Sequence, residues 1–172
     1  LCVSGGVGLN SVANKKILDE TPFENIFIHP CCSDTGIPVG NALYGYHVVE
    51  NQTDRPYTMV NAYAGREYSM EEIDKALAGV DGVIVEECGE DIAKRTAELI
   101  ADGKIFGWFQ GGSEIGPRAL GHRSILCDPR PEDAKDTLNL RVKHREGWRP
   151  FAPAILEEDV SDYFELDSPS PY

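Results

Sequence analysis

The chain has 172 residues and a net charge of −13, with 41% hydrophobic and 26% charged residues. This composition is typical of one globular domain, or of a small domain with part of another. The negative charge argues against a nucleic-acid backbone as the main partner. No apolar run approaches the roughly 20 residues that span a bilayer. The five cysteines have no framework spacing, so we expect a cytoplasmic protein with reduced thiols.

The first third of the chain predicts alternating strands and helices. An apolar strand at residues 1–4 leads through a glycine turn into a helix at 10–18. A short strand (25–29), a loop (31–40) and a weaker helix (41–49) follow. The polar, proline-containing residues 51–62 then predict a linker between two domains.

The remainder continues this alternation. A capping box at residues 69–72 opens a helix at 71–77, and a strand at 80–86 follows. The next predictions are a helix at 91–101 closed by Gly103, a buried central strand at 105–109, a glycine-rich loop at 110–121, a strand at 124–127 and a helix at 131–145 starting near Pro131. Such alternation indicates an α/β fold.

Basic residues are concentrated in one part of this acidic chain. Residues 116–149 contain eight basic and five acidic residues, whereas the whole chain has 16 basic and 29 acidic residues. A basic island favours a local anionic ligand, such as a phosphate held in a pocket. A solvated helix face of mixed charge is the alternative.

The segment Gly116–Ser124 is the strongest candidate within this island. It places Arg118 and Arg123 among glycine, alanine and proline residues that let a ligand approach the backbone. A planar guanidinium can bind phosphate oxygens in pairs. Glu114 could pair with one of these arginines, which would be its ordinary structural role. We predict that this loop binds a phosphate.

A second basic segment, residues 139–153, begins within the predicted helix at 131–145 and continues beyond it. Arg141 and Arg145 are four residues apart and would share one helix face, with Lys143 on another side. Arg149 stands in an extended segment before Pro150. A solvated helix end accounts for some of these charges, but it accounts poorly for Arg149.

Two further features are weaker on their own. The glycine turn Ser4–Asn10 could direct backbone N–H groups at an anion, but a tight packing turn is equally compatible. Asp34, in a loop of small residues, could ligate a cation or orient a hydroxyl. An Asx-turn is the favoured alternative for Asp34, and His29 nearby is expected to be structural.

Together these motifs resemble the carbamoyltransferase family that includes the nodulation protein NodU and antibiotic-tailoring O-carbamoyltransferases. The order and spacing agree over nearly the whole chain. The segments that carry the resemblance are Ser4–Ser11, Asn25–Ile28, Asp34–Gly36, Gly107–Gly111, Gly116–Ser124, Asp128–Arg130 and Arg149–Pro153.

The resemblance implies an α/β fold made of two incomplete domains. Residues 1–50 would be the end of an actin/Hsp70-like (ASKHA) domain, and residues 63–172, after the linker 51–62, most of a YrdC-like domain. In such enzymes carbamoyl phosphate and ATP form carbamoyl-adenylate. The carbamoyl group then passes to a hydroxyl of a small molecule, nodulation-factor-like or antibiotic-like. The resemblance implies a divalent metal (Fe, or Mg/Mn). It implies no nucleic-acid partner and no membrane partner, and it leaves open whether the protein is a homodimer.

The resemblance also assigns residues to roles. It implies that Arg118, Arg123 and Arg149 are catalytic and neutralise charge, and that Asp34 is a metal ligand. It also implies a set of residues that contact nucleotide and phosphate groups. These are Gly5, Gly6, Asn10, Ser124, Lys143 and Arg145. The chain lacks an initiator methionine, the N-terminal bulk of the ASKHA-like domain and a downstream segment that contributes to the nucleotide site in this family, so we expect an internal piece that cannot complete the reaction alone. The alternatives are a non-catalytic nucleotide- or phosphate-binding module, a threonylcarbamoyl-adenylate-type tRNA-modification enzyme, and a scaffold whose arginines are all salt-bridged.

Overall fold

The chain begins with a β-α-β arrangement. The structure is a computed structural model that describes residues 1–166 and 170. In it, β1 (Cys2–Val3) pairs in parallel with β2 (Phe27–Ile28), and the connection between them contains α1 (Ser11–Glu20). The predicted strand, glycine turn, helix and second strand are therefore confirmed.

The next helix begins earlier than the sequence predicted. A single 3-10 turn, Asp34–Gly36, leads directly into α2 (Ile37–Tyr44), which continues as a π-helical turn over Gly45–Val49. The prediction of a loop over 31–40 is therefore wrong in its second half. Pro38 lies in the first turn of α2, where its missing N–H has no intrahelical acceptor to lose, so it starts the helix instead of breaking it.

Two helices in the next part agree with the sequence prediction. Ser69 and Glu72 form a complete capping box at the start of α3 (Met70–Leu77). The following helix, α4 (Ile92–Ala101), ends where Gly103 adopts a positive φ of 71°. Glycine tolerates that conformation without steric cost, so the predicted helix stop is confirmed.

The predicted strand at 80–86 is wrong. Residues 80–86 form no strand, and their apolar side chains are exposed, with Ile84 96% accessible. A β-strand requires a neighbour for its backbone hydrogen bonds. Among the described residues, the strand pairs are β1 with β2 and one further pair in the second half of the chain.

That second pair is β3 (Phe106–Phe109) and β4 (Arg123–Leu126), which run antiparallel. Both strands were predicted, but β3 is not the buried central strand that was expected. Its side chains alternate between half-buried and exposed, because it has a single hydrogen-bonded neighbour in the described part of the chain.

The last predicted helix is much shorter than expected. It begins at Ala134, three residues after Pro131, as α5 (Ala134–Thr137) and continues as a π-helical turn over Leu138–Val142. His144 then has a positive φ of 48°, which ends the helical path. A further short helix, α6 (Val160–Tyr163), follows.

The described residues divide into two compact units. The first unit comprises Leu1–Glu67 and Gln110–His122, and the second comprises Tyr68–Phe109 and the described residues from Arg123 onward. Each unit contains helices and one pair of strands, so the prediction of a mixed α/β chain is confirmed. The ASKHA and YrdC-like assignments stay predictions, as do the domain bounds at 1–50, 51–62 and 63–172.

The buried apolar side chains in the described part of the chain are small in number and size. They are Cys31, Cys32 and Ala62 in the first unit and Leu138 in the second. All five cysteines are free thiols, as expected from their spacing. Every helix within residues 1–166 is too short or too polar to traverse a bilayer.

Candidate functional site

The long loop of the first unit is organised around the carboxylate of Glu114. This side chain is buried, with 4% of its surface accessible. Its Oε1 accepts the backbone N–H of Leu120 at 2.7 Å and that of His122 at 2.8 Å. A buried carboxylate that accepts backbone N–H groups is a strong anchor. Glu114 therefore fixes the end of the turn that carries Arg118.

A ring stack fastens the same end of the loop. The rings of Tyr63 and His122 are parallel within 5°, with centroids 3.5 Å apart. The Tyr63 hydroxyl donates to the carbonyl of Leu120 at 2.9 Å, and Nδ1 of His122 lies 2.8 Å from the carbonyl oxygen of Gly112. A carbonyl can only accept, so Nδ1 of His122 carries a proton.

Two backbone hydrogen bonds hold the beginning of the loop. Ile115 donates to the carbonyl of Ala62 at 2.7 Å, and Gly65 donates to that of Ser113 at 2.8 Å. Residues 62–65 and the loop thus form one packed substructure, which the sequence prediction did not foresee. Nothing in the sequence near Tyr63 signals a partner 59 residues later at His122.

Gly116 allows the loop to pass close to the segment after β2. Its φ is 91°, and a Cβ at this position would lie 2.5 Å from the carbonyl oxygen of Pro30. A side chain is excluded by the contact and by the backbone conformation together. The glycine that marked this loop in the sequence is therefore required by packing within the first unit.

Arg118 lies beside the N-terminal glycine turn. Its Nη2 donates to the carbonyl of Leu9 at 3.2 Å, and Leu9 ends the 3-10 turn Gly6–Leu9 just before the cap of α1. Five predicted site residues lie in this one unit, although Leu9 and Arg118 are 109 positions apart in the sequence. They are Gly5, Gly6, Asn10, Asp34 and Arg118.

The glycine turn already uses several of its polar groups. Gly5 donates its N–H to the carbonyl of Cys32 at 2.6 Å, and Gly8 donates to Gly5 at 3.0 Å. The side chain of Asn10 accepts the N–H of Ala13 at 3.2 Å and so caps α1. These hydrogen bonds favour the packing interpretation for part of the turn. The prediction that Gly5, Gly6 and Asn10 contact nucleotide stays untested.

Asp34 stands at the start of the 3-10 turn that precedes α2. Its side chain is exposed. Within residues 1–166 and 170, no group of three or more His, Cys, Asp and Glu side chains is arranged to hold a metal ion. Of the predicted metal site, the described residues therefore supply one carboxylate, that of Asp34, and not a complete set of ligands.

His29 contacts a buried thiol near Asp34. Its Nδ1 lies 3.0 Å from Sγ of Cys31 and 3.2 Å from the Cys31 backbone nitrogen. Burial raises the pKa of the Cys31 thiol and so favours its protonated form. This local hydrogen bonding agrees with the structural role expected for His29.

Arg123 and Ser124 lie in the second unit, at the start of β4. In the antiparallel register, Arg123 is opposite Phe109 and Ser124 is opposite Trp108. The Arg123 side chain is exposed and that of Ser124 is half-buried. Arg118 and Arg123, five residues apart in sequence, thus belong to different compact units.

Asn139 organises the second basic segment. Its side chain is completely buried. Its Nδ2 donates to the carbonyls of Gly147 and Arg149 at 3.3 and 3.0 Å, and its Oδ1 accepts Nε–H of Arg145 at 2.7 Å. The sequence prediction missed Asn139. The available signal was weak: an uncharged polar residue between two apolar residues, Leu138 and Leu140.

The two arginines that follow have different environments. Nη2 of Arg145 donates to the carbonyl of Pro150 at 3.3 Å, and its guanidinium lies 4.7 Å from the centre of the Phe151 ring. Nε of Arg149 donates to Glu146 at 2.8 Å, and its guanidinium lies 5.5 Å from the Trp148 ring.

The predicted helix face shared by Arg141 and Arg145 is wrong. The helical path ends at Val142, and the positive φ of His144 separates Arg145 from it. Lys143, immediately after the helical path, has an exposed side chain. The second unit thus brings Arg145 and Arg149 together at the turn from Gly147 to Pro150.

Asp128 and Arg130 form a charged turn just after β4. Arg130 donates from Nε and Nη2 to the two carboxylate oxygens at 2.8 and 2.7 Å. These hydrogen bonds, together with one from the Arg130 backbone N–H, hold the pKa of Asp128 at about 2, below its ordinary 3.8.

We expect this turn to weaken in acid. Because the folded-state pKa of Asp128 is depressed, the stability that it contributes is present above its unfolded pKa and is lost as the pH falls from about 4 to about 2. A ¹³C NMR titration of the carboxyl should give a midpoint near 2. Arg130→Ala should return the midpoint toward that of an ordinary aspartate, and an unchanged midpoint in this variant would contradict the assignment.

These features define a mixed α/β chain with two basic segments, each held by a buried polar side chain. Two family models match it: "Carbamoyltransferase N-terminus" over residues 1–43 and "Carbamoyltransferase C-terminus" over residues 97–172. Both agree with the resemblance found from the motifs, and the chain belongs to the carbamoyltransferase family. Every predicted site residue lies within one of the two matched segments.

Similar proteins support this conclusion. An uncharacterized protein of Synechocystis sp. is 46% identical over 100% of the chain. Nodulation protein NolNO of Sinorhizobium fredii is 44% identical over 96%, and the 3'-hydroxymethylcephem-O-carbamoyltransferase of Streptomyces clavuligerus is 34% identical over 100%. The chain spans 29%, 24% and 31% of the length of these relatives, respectively.

Proposed function

We propose that the chain is part of an ATP-dependent O-carbamoyltransferase. The observation that carries this proposal is the similarity, over the whole chain, to a relative named for O-carbamoylation of a hydroxymethyl group. The basic segments of both compact units agree with substrates that are phosphate esters and anhydrides. ASKHA-like and YrdC-like domain types are part of the same proposal.

The proposed reaction has two stages. Carbamoyl phosphate, water and ATP give carbamoyl-adenylate, phosphate and pyrophosphate. The hydroxyl oxygen of a small-molecule acceptor then attacks the carbamoyl carbon, AMP leaves with the electrons of the broken acyl–phosphate bond, and the hydroxyl proton is released. These stages require several phosphate groups to be bound and oriented while negative charge accumulates on their oxygens.

The contribution of this chain is charge neutralisation and positioning. Arg118, Arg123 and Arg149 are proposed to contact the reacting phosphate groups, because guanidinium donors in a fixed arrangement stabilise developing charge. Gly5, Gly6, Asn10, Ser124, Lys143 and Arg145 are the proposed nucleotide- and phosphate-binding residues. Asp34 would supply one ligand to a divalent metal bound with groups from elsewhere in the protein.

The protein encoded by the complete open reading frame should release pyrophosphate from ATP only when carbamoyl phosphate is present. Addition of a hydroxymethyl acceptor should then yield AMP and a carbamate ester, detected by mass spectrometry. The matched control omits carbamoyl phosphate. Binding of both substrates without pyrophosphate release would instead identify a non-catalytic binding module and contradict the proposal.

A further inference from the structure

We infer that Asn139 and Arg145 are positioning residues, which hold the turn from Gly147 to Pro150 so that Arg149 presents its guanidinium to an anionic phosphate group. This inference rests on the proposed function, because that function supplies the anion. It revises one role in that function: Arg145 supports the turn and does not contact the ligand, whereas Arg149 contacts it.

The Asn139 side chain uses both its donor and its acceptor groups. Both hydrogen bonds from its Nδ2 go to backbone carbonyls of the turn, those of Gly147 and Arg149, and its Oδ1 accepts from Arg145. Burying an amide is unfavourable unless it is hydrogen-bonded. The turn has no ladder to satisfy these carbonyls, so the buried amide takes the place of secondary structure.

Arg145 is held by three groups. Nε–H points at Asn139, Nη2 points at the carbonyl of Pro150, and the guanidinium lies over the ring of Phe151. A guanidinium held by a buried amide, a backbone carbonyl and an aromatic ring loses little further freedom. Arg145 therefore connects the helical end at Asn139 to the far side of the turn.

Arg149 is held less completely than Arg145, although its guanidinium also lies near an aromatic ring, that of Trp148, at 5.5 Å. Its backbone carbonyl is held by Asn139, but 47% of its side-chain surface is exposed. The hydrogen bond to Glu146 uses Nε. The N–H groups on its two terminal nitrogens are the donors that a phosphate would need for paired hydrogen bonds.

Asn139 therefore acts on the ligand through Arg149 and does not contact it. Fixing the main chain of Arg149 limits the volume that its side chain explores and lowers the entropy lost on binding an anion. If Asn139 only stabilised the fold, its substitution would change the free energy of unfolding equally with and without the Arg149 side chain. A positioning Asn139 would affect anion binding only when Arg149 is present.

A double-mutant cycle on the full-length protein tests this difference, with inorganic phosphate as the ligand. Asn139→Asp is nearly isosteric and keeps the acceptor for Arg145 but replaces both donors to the turn with a carboxylate oxygen. We expect it to weaken phosphate affinity about tenfold in the unaltered background, equivalent to about 1.4 kcal/mol, and to have no further effect in Arg149→Met.

The controls separate this inference from the proposed function. Arg95→Met removes an exposed, ion-paired arginine in the same unit and should leave phosphate affinity unchanged. Equal losses from Asn139→Asp in both backgrounds would overturn the positioning role. If Arg149→Met itself leaves phosphate affinity unchanged, then Arg149 is not the anion-binding residue, and both the positioning role and that part of the proposed function fail. Pyrophosphate release in the unaltered protein still tests the reaction separately.

A measurement that needs no variant covers the case in which Asn139→Asp does not fold. The Nε–H proton of Arg145 should exchange slowly with solvent, because it is donated to a buried amide oxygen, whereas the terminal N–H protons of Arg149 should exchange rapidly and shift on addition of phosphate. Rapid exchange of the Arg145 proton, or an unshifted Arg149 signal, would overturn the inference.

Discussion

Glu114→Ala is expected to release the end of the loop in the first unit. The substitution removes the oxygen that accepts the N–H groups of Leu120 and His122. Leaving a buried donor without an acceptor costs about 1–3 kcal/mol, so the two together should destabilise the loop by about 2–6 kcal/mol. The amides of Leu120 and His122 should therefore exchange with solvent much faster than in the unaltered protein, as measured by NMR or mass spectrometry.

Glu114→Gln is the matched control, because an amide oxygen can accept the same two hydrogen bonds. It should lose only the charge-assisted part of each bond, so its loop should exchange more slowly than that of Glu114→Ala. Equal amide exchange in Glu114→Ala and the unaltered protein would show that this carboxylate does not anchor the loop. The anchoring effect of Tyr63 would then have to be sufficient on its own.

Arg118→Met should lower carbamoyl transfer by the full-length protein about 100- to 1000-fold, the usual effect of removing one preorganised donor to a charged transition state. Stability should change little. The lost hydrogen bond to the carbonyl of Leu9 is exposed, and an exposed carbonyl can be solvated by water instead. Activity with saturating substrates and thermal unfolding of the same preparation measure the two effects.

The control for Arg118→Met is Arg55→Met. Arg55 is an exposed arginine of the same unit, in the predicted linker, and its removal changes the net charge equally. Activity that falls by the same factor in both variants would indicate a general effect of charge. Unchanged activity in Arg118→Met would remove Arg118 from the proposed catalytic residues.

Local signals in the sequence determined many of the elements. The capping box at Ser69, the cap at Asn10 and the glycine stop at Gly103 each act over a few residues. Their energies depend on neighbours in the chain and not on the fold. The motifs around Gly116 and Arg149 likewise identified the family, because they depend on residue type and spacing alone.

The failed predictions concern features that need distant partners. The apolar run at 80–86 has the composition of a strand, but no neighbouring strand pairs with it in the described part of the chain. The strand at 106–109 was expected to be a buried central strand and instead has a single neighbouring strand among the described residues. An apolar composition indicates that a segment can be buried, but it does not identify the segment against which it packs.

The sequence by itself thus determined the α/β class, the short-range caps and turns, and the basic segments of a carbamoyltransferase-family chain. Only the tertiary structure decided which groups anchor those segments. Glu114 accepts N–H groups from its own loop while Tyr63 stacks on its end, and Asn139 holds a turn eight to ten residues away. Buried polar side chains take whichever partners folding brings to them, and long-range proximity of that kind has no periodic signature in the sequence.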